Sequence, residues 1–359
     1  MISISLCMIV KNEEETLERC LESVGDLVDE IIIVDTGSTD RTVEIASRYT
    51  PHVFHFEWVD DFSQVRNFSF SKATKDYIFW LDADDTLLPD DQLKMQRLKQ
   101  TLDPVLDAVS MDYHIAFDQY GNVITSSRRF RLVKRSKHYQ WRGAVHEMLA
   151  VTGNALDSDI VVTHRKERQV TDRNLNIYEK LLRQGKPFTP QDQFHYAREL
   201  HQRKRYEEAA EYYLKFVNDP NNTAENKIYA YQQLADCYHM LGDTEKELSS
   251  TFQTFLFDIP RPECCCRLGF YFLKKNAYRQ AIFWYKLAID FPLEKNSWAI
   301  VNNTSRSILP HIQLGLCYYQ IGEYEESYRH NKIALTYMPD DKDILNNILV
   351  LEDLLHKHK

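Results

Sequence analysis

The first 165 residues alternate short apolar runs with amphipathic stretches. Residues 31–34 are all β-branched and apolar, which is typical of a parallel strand buried on both faces. The stretch Asn12–Val24 places Leu17, Leu21 and Val24 at a helical spacing. Such alternation predicts βαβ units and a mostly parallel sheet. The predicted strands are Ile2–Val10, Glu30–Asp35, His52–Phe56 and Tyr77–Leu81, with later runs at Ala108–Phe117, Arg128–Val133 and Ile160–Thr163, and the predicted helices are Asn12–Val24, Thr39–Tyr49 and Phe62–Ala73.

From about Gln191 the pattern becomes helical and repetitive. Three copies align on Tyr206-x-x-Ala209, Tyr278-x-x-Ala281 and Tyr324-x-x-Ser327, and a weaker copy runs through residues 234–243. The repeats would start near 190, 228, 262 and 308, so the spacing between starts lies around the ~34-residue period of tetratricopeptide repeats. In each first helix a small residue would let the second helix approach closely, so that stacked hairpins share one core. These small residues are Ala197, Ala235, Gly269 and Gly315. The alternative is an unrelated antiparallel helix bundle.

The predicted fold class is therefore an α/β domain followed by an all-α repeat domain. We place the first domain at residues 1–165, a linking segment at 166–190 and the repeats at 191–359. The segment Thr171–Arg183 has the pattern of a helix, with Thr171 or Asp172 as its cap. The repeats also offer a surface through which the protein could form a homo-oligomer.

Composition excludes several classes of protein. Hydrophobic residues make up 43% of the 359 positions, which argues against disorder. The balance of 44 Lys and Arg against 53 Asp and Glu gives a net charge of −9, which disfavours nucleic acid as a partner. Seven cysteines without a CxxC pair fit a reduced, cytoplasmic protein better than a zinc site or a disulfide framework. We recognise neither a signal peptide nor an apolar window of ~18 residues, so no membrane span is predicted.

Acidic clusters follow two of the predicted strands. One is Asp35–Asp40 (DTGSTD), directly after the run EIIIV, and the other is Asp82–Asp85 (DADD), directly after YIFWL. Ligand sites of open α/β sheets lie at the carboxyl ends of the strands. Oxygen ligands of this kind suit Mg²⁺ or Mn²⁺ bound to a diphosphate. The alternative is that each cluster only forms a turn and caps the next helix.

Three segments together resemble the family-two inverting glycosyltransferases of the GT-A fold. They are Met8–Glu13 (MIVKNE), Val34–Asp40 (VDTGSTD) and Asp82–Asp85 (DADD), and the resemblance covers about residues 1–165. Two further segments, Phe62–Asn67 (FSxxRN) and Gly143–Glu147 (GxxHE), look like the branch of that family that carries C-terminal tetratricopeptide repeats. This branch includes peptide S-glycosyltransferases of the sublancin type.

The resemblance implies a role for individual residues of the donor site. Asp35 would accept a hydrogen bond from uracil, Asp82 would contact the ribose or the metal shell, and Asp84 would ligate the metal. His164, after a late strand, would complete the metal shell, or it is an ordinary polar residue at a strand end. The other implied nucleotide-sugar contacts are Val10, Asn12, Glu13, Arg66, Ala83 and Trp141. Arg66 and Lys11 could neutralise phosphate, although an ion pair of Arg66 with Asp61 or Asp82 is an equal alternative.

Inversion requires a base that removes the proton of the acceptor. The Glu-Asp pair common in the family is missing, so we expect Glu147 to be the base, with its neighbour His146 as the next candidate. Trp141 would stack on a sugar and Arg142 would hold phosphate. The alternatives for Glu147 are a carboxylate in the first turn of a helix and a salt bridge with Arg142. The basic run Arg128–Arg135 is expected to bind phosphate or to form a solvated strand face.

The sequence thus predicts a Mg²⁺- or Mn²⁺-dependent inverting glycosyltransferase that uses a UDP-sugar. The repeats would recruit a peptide or protein acceptor, modified on Cys, Ser or Thr. One alternative is an acceptor that is a polysaccharide or a lipid-linked glycan. The other is a repeat scaffold with a non-catalytic first domain.

Overall fold

The structure is a computed structural model that describes residues 1–165, 171–292, 298 and 301–357. Within these ranges the chain forms two compact units. The first is built on Met1–Ala116, Ser126–Phe188 and the described residue Trp298, and the second on Phe117–Thr125 and the other described residues from Thr189 onward. The predicted linking helix belongs to the first unit as Arg173–Arg183, and residues 166–170 of that segment lie outside the described ranges. Across those ranges every helix is too short or too polar to span a bilayer.

The first unit is centred on one mixed sheet with the strand order β3-β2-β1-β4-β7-β6-β10-β5. The pairs β1–β2, β2–β3, β1–β4 and β6–β10 are parallel, whereas β4–β7 and β5–β10 are antiparallel. A separate antiparallel pair is formed by β8 and β9. The strands are β1 Ile4–Val10, β2 Glu30–Asp35, β3 Val53–His55, β4 Tyr77–Trp80, β5 Asp85–Thr86, β6 Ala108–Phe117, β7 Val123–Lys134, β8 Trp141–Arg142, β9 Met148–Leu149 and β10 Ala155–His164.

Helices cover both faces of this sheet. Side chains of β1 alternate between the two layers: Leu6 and Met8 join one apolar cluster, and Cys7 joins the other. Helices α1, α2 and α4 contribute to the first cluster, and α3 contributes Val65 and Phe70 to the second. The helices of this unit are α1 Leu17–Val24, α2 Thr42–Tyr49, α3 Phe62–Lys72, α4 Pro89–Thr101 and α5 Arg173–Arg183.

Most predicted strands and helices of the first unit are present, with shifted ends. Helices α1 and α2 begin later than predicted because Glu13 and Asp40 form turns before them: the Thr16 N–H donates to the Glu13 carbonyl, and Asp40 accepts from the Thr42 N–H. The sequence did not predict the short strands β5, β8 and β9 or helix α4. A two-residue strand has no periodic signal, and α4 is polar over most of its length.

The second unit consists of stacked helical hairpins, as the repeat pattern predicts. The pairs are α6 Pro190–Gln202 with α7 Tyr206–Val217, α8 Ala224–Leu241 with α9 Thr244–Gln253, α10 Pro262–Lys274 with α11 Tyr278–Asp290, and α12 Ile308–Gln320 with α13 Tyr324–Tyr337, followed by α14 Lys342–Lys357. A two-residue strand, β11 Val301–Asn302, precedes the last pair.

Small residues sit where the two helices of a hairpin meet. A Cβ on Gly269 would lie 2.8 Å from the Tyr285 ring, and a Cβ on Gly315 would lie 2.6 Å from Nδ2 of Asn331. Only a residue without a side chain fits this spacing. The three adjacent cysteines Cys264, Cys265 and Cys266 lie buried near the start of α10, and burial raises the pKa of Cys265 to about 12.

Candidate active site

Asp35 ends β2 and organises the loop that follows. Its carboxylate accepts hydrogen bonds from the N–H groups of Gly37 and Ser38 at 3.0 and 3.1 Å. Gly37 has φ 95°, a left-handed conformation that suits glycine. Asp35 is therefore fixed at the carboxyl end of its strand, as the predicted role in binding a base requires.

The loop after β1 is tied to the loop after β2. The amide oxygen of Asn12 accepts from the Thr39 N–H at 2.7 Å, and the Glu13 N–H donates to the Thr42 hydroxyl. The carbonyl of Val10 accepts from the Thr36 N–H and from its hydroxyl. The predicted contacts Val10, Asn12 and Glu13 thus shape the rim of the site through loop contacts.

Asp84 and His164 converge although they are far apart in the sequence. Nδ1 of His164 lies 3.3 Å from Asp84 and 3.2 Å from Asp85, measured to a carboxylate oxygen of each. Strand pairing brings them together, because His164 is opposite Asp85 in the β5–β10 register. Burial lowers the pKa of His164, but its hydrogen bonds to the two carboxylates outweigh this and raise the pKa to about 9.

This cluster fits a divalent cation. One ligand atom from each of Asp84, Asp85 and His164 lies within 4.8 Å of the other two. A carboxylate and an imidazole are ligands that Mn²⁺ accepts. A divalent cation bound here would replace a proton on the His164 ring, since an imidazole must be neutral to bind a metal.

Asp85 differs from Asp84 because it is fully buried and held from behind. Its carboxylate pairs with the buried guanidinium of Arg131 at 3.0 Å and accepts from the Tyr113 hydroxyl at 2.9 Å. Asp85 also accepts from the N–H of Asp82. Turn formation therefore accounts for Asp85, while Asp84 remains the carboxylate of this segment that is best placed for a ligand. Capping of the next helix does not explain the cluster, because the N-cap of α4 is Leu88.

Asp82, Arg66 and Glu147 form one chain of contacts. Nη2 of Arg66 donates to Asp82 at 2.7 Å, and Nε donates to Glu147 at 2.5 Å. Burial by itself would raise the pKa of Asp82, but the Arg66 guanidinium, together with Arg131 and Arg129, outweighs burial and holds that pKa well below its usual range. The pair of Arg66 with Asp82 is the structural alternative that the sequence left open, and Glu147 pairs with Arg66 rather than with Arg142.

Trp141 contributes to the wall of the site instead of an open face. Its side chain is buried, its ring lies 4.7 Å from the Trp80 ring, and the Arg66 guanidinium lies 4.9 Å from its centroid. Among the described residues, the indole N–H has no hydrogen-bond partner. This arrangement does not support the predicted stacking of Trp141 on a sugar, because Arg66 and neighbouring rings occupy the ring surface. Ala83 is also buried, which leaves its backbone as the part able to contact a ligand.

Glu147 and His146 belong to a loop with unusual backbone angles. Gly143 has φ 103° and His146 has φ 52°, both left-handed. The Ala144 carbonyl accepts from the Phe62 N–H at the start of α3, and the Val145 carbonyl accepts from the Tyr178 hydroxyl of α5. Helices on both sides thus fix the loop that carries the predicted base.

Sequence reasoning missed the supports behind the site. The basic run 128–135 marked the right strand, but Arg128 and Arg131 are buried in ion pairs, so a phosphate site or a solvated face is wrong for these two. Tyr113 and Asn67 carried no signal beyond their place in a strand or a motif. Asn67 exchanges two hydrogen bonds with the backbone of Trp141 and so joins α3 to β8.

Comparison with known proteins shows what this region is similar to. Residues 5–157 match the model of the family Glycosyl transferase family 2. These residues, less than half of the chain, are thus similar to a family 2 glycosyltransferase domain. The prophage-derived glycosyltransferase SunS of Bacillus subtilis (strain 168) is 31% identical over 233 residues, which are 60% of this chain and 54% of that protein. A TPR repeat-containing protein of Synechococcus elongatus is 52% identical over 88 residues, or 24% of this chain and 22% of its own length.

The chain thus spans about half, or less, of the length of these two relatives. Among solved structures, a glucosyl-3-phosphoglycerate synthase from Mycobacterium tuberculosis, in complex with Mn²⁺ and UDP-glucose, is 16% identical with a TM-score of 0.36. That likeness covers 53% of this chain and 81% of the other, and it is too weak to support an inference. The similarity to glycosyltransferases therefore rests on the match of residues 5–157 to the family model and on the likeness to SunS.

Proposed function

We propose that this protein is an inverting glycosyltransferase that moves a sugar from a UDP-sugar to a peptide or protein. The observation that carries the proposal is the convergence of Asp84 with His164 next to Asp82, in a family 2 glycosyltransferase domain. Asp35 ends β2 in the same sheet, and parallel strands present their carboxyl ends at one edge. Such an edge suits a nucleotide at one carboxylate and its diphosphate at the other.

Each side chain has a part in this proposal. Asp35 accepts from uracil, Asp82 accepts from the ribose, and Asp84 with His164 holds Mg²⁺ or Mn²⁺. When bound, the cation stabilises the negative charge of the departing diphosphate. Glu147 takes the proton of the acceptor. The buried rings of Trp80 and Trp141 keep water from the Arg66 guanidinium, which pairs with Glu147.

The test measures UDP release from a panel of UDP-sugars with Mn²⁺, with and without EDTA. We expect Asp84→Ala and chelation each to lower turnover by orders of magnitude, because both remove the cation from the diphosphate. The matched control is Asp90→Ala, which removes an exposed carboxylate in the first turn of α4 and should leave turnover unchanged. Thermal unfolding of each variant checks that the fold is kept.

The outcomes separate the proposal from its rivals. Full turnover in EDTA would contradict the cation assignment. An intact protein that neither binds nor cleaves any UDP-sugar would instead favour a repeat scaffold. Mass spectrometry of a peptide library and of glycan acceptors after incubation distinguishes the two acceptor classes.

A further inference from the structure

We propose that Arg66 is a positioning residue that holds the predicted base Glu147 beside the donor carboxylate Asp82. The Arg66 side chain would then set the distance between Glu147, the proposed acceptor base, and Asp82, the proposed donor contact. This inference rests on the proposed function, and it adds the link to Glu147 for a residue that the sequence predicted to neutralise phosphate, to support the nucleotide carboxylates or to pair with Asp61 or Asp82.

The contacts of Arg66 join three distant segments. Its guanidinium projects from α3 and bonds to Asp82, 16 positions away at the end of β4, and to Glu147, 81 positions away in the loop after β8. The two bonds use different nitrogens, Nη2 and Nε, so both exist at once. A planar guanidinium can hold two carboxylates in a fixed relative geometry, which a single ammonium cannot reproduce.

The guanidinium itself is held in place. Its central carbon lies 5.0 Å from the centroid of the Trp80 ring and 4.9 Å from that of Trp141. Arg66 is 8% exposed. Asn67, the next residue of α3, bonds to both backbone groups of Trp141. Helix α3, the rings of Trp80 and Trp141 and the Arg66 guanidinium therefore hold one another in place before any ligand binds.

Glu147 depends on the Arg66 guanidinium for a charged partner. Only 10% of its side-chain surface is exposed, and a nearly buried carboxylate is costly unless a charged or polar group is paired with it. The loop that carries it contains two residues with left-handed backbone angles, Gly143 and His146. If the guanidinium is removed, we expect the carboxylate to turn toward water and to leave the position in which it can take a proton.

A double-mutant cycle tests the proposal in the full-length protein. The measured quantity is kcat for the UDP-sugar that turns over fastest with Mn²⁺, in wild type, Arg66→Met, Glu147→Gln and the double variant. General-base catalysis contributes ~10²–10⁴-fold, so Glu147→Gln should lower kcat by about that factor. If Arg66 acts through Glu147, Arg66→Met should cause a similar loss, and the double variant should be slower than the slower single variant by no more than about threefold.

Matched controls separate this role from a general loss of structure. Lys72→Met removes another cation of α3, one that lies over Phe54 and Phe68, and kcat should stay unchanged. The cycle is repeated with Arg66→Lys, which keeps the charge and the fold but not the two-bond geometry. We expect the same pattern with Arg66→Lys.

The result also distinguishes this inference from the function beneath it. Losses that multiply in the double variant, or an Arg66→Lys protein with wild-type kcat, would overturn the positioning role and leave the enzyme assignment intact. Wild-type kcat in Glu147→Gln would overturn the base assignment and the inference with it. A wild-type protein without any donor turnover would remove the proposed function and this inference together.

Discussion

At the scale of single residues, the pair of Asp85 and Arg131 stands out because both side chains are fully buried. Their side-chain exposures are 0% and 0%, and the guanidinium also lies over the Trp80 and Tyr113 rings. Bringing two charges out of water is costly, and removing one partner leaves the other unpaired. The pair therefore fixes the turn that presents Asp84, and it makes the fold sensitive at this point.

We expect Arg131→Met to lower the free energy of unfolding of the first unit by ~3–5 kcal/mol, because it removes the guanidinium that pairs with the buried Asp85 carboxylate. The matched control is Arg129→Met, which removes an exposed cation over Tyr113 and should cost less than ~1 kcal/mol. Urea unfolding, followed by tryptophan fluorescence, measures both. A second change, Asp85→Asn in the Arg131→Met background, should recover part of the loss. Equal costs for the two arginines would show that the buried pair adds nothing.

At the scale of the helical element, the last hairpin contains a buried pair of imidazoles. Nδ1 of His311 on α12 lies 2.9 Å from Nδ1 of His330 on α13, and the His330 ring stacks on Tyr318. Burial, with His311, Arg329 and Lys286 nearby, lowers the pKa of His330 from 6.5 to about 4. Folding therefore keeps His330 neutral where the unfolded chain would take up a proton.

This difference predicts a pH dependence with a defined sign. As pH falls below about 6.5, the unfolded chain binds the proton first, so the stability present above that pH is lost progressively toward pH 4. His330→Phe keeps a ring against Tyr318 and removes the titration, so its melting temperature should fall less between pH 7 and pH 5 than that of wild type. A difference of ~2 °C or more would be measurable by calorimetry. Identical pH profiles for the two proteins would assign the dependence to other groups.

At the scale of the whole molecule, the proposal gives each unit its own task. The residues proposed to bind the donor all lie before Arg165, and the repeats are proposed to recruit the acceptor. Stacked repeats present extended surfaces that suit a peptide. The two tasks can therefore be separated by shortening the chain.

A chain that ends after Phe188 keeps Met1–Ala116 and Ser126–Phe188 of the first unit, including α5, and removes the repeat helices. We expect it to bind UDP and to cleave a UDP-sugar slowly, and to lose most transfer to peptides. UDP binding by calorimetry, UDP release and mass spectrometry of a peptide library measure the three properties. Transfer to peptides at the full-length rate would contradict the recruiting role of the repeats.

Much of this protein can be predicted from local sequence. The buried strand Glu30–Asp35 has the bounds that its β-branched run predicts, and the hairpins of the second unit begin close to the predicted positions. Acidic residues at the end of β2 and after β4 could be identified as a candidate site because the carboxyl ends of parallel strands share one edge. These features depend on periodicity and on chain neighbours, which a sequence displays directly.

The tertiary structure decided which side chains become partners. Arg66 meets Glu147 across 81 positions, and His164 meets Asp85 across 79, through contacts that no periodic pattern encodes. The tertiary structure also decided which side chains are buried. Arg131 belongs to a basic run that the sequence allowed to face water, and the sequence allowed Trp141 to face a sugar. The position of β7 between β4 and β6 and the contact of α3 with β8 placed both inside. A strand or helix has an inner and an outer face, and only its neighbours determine which side chains lie on the inner one.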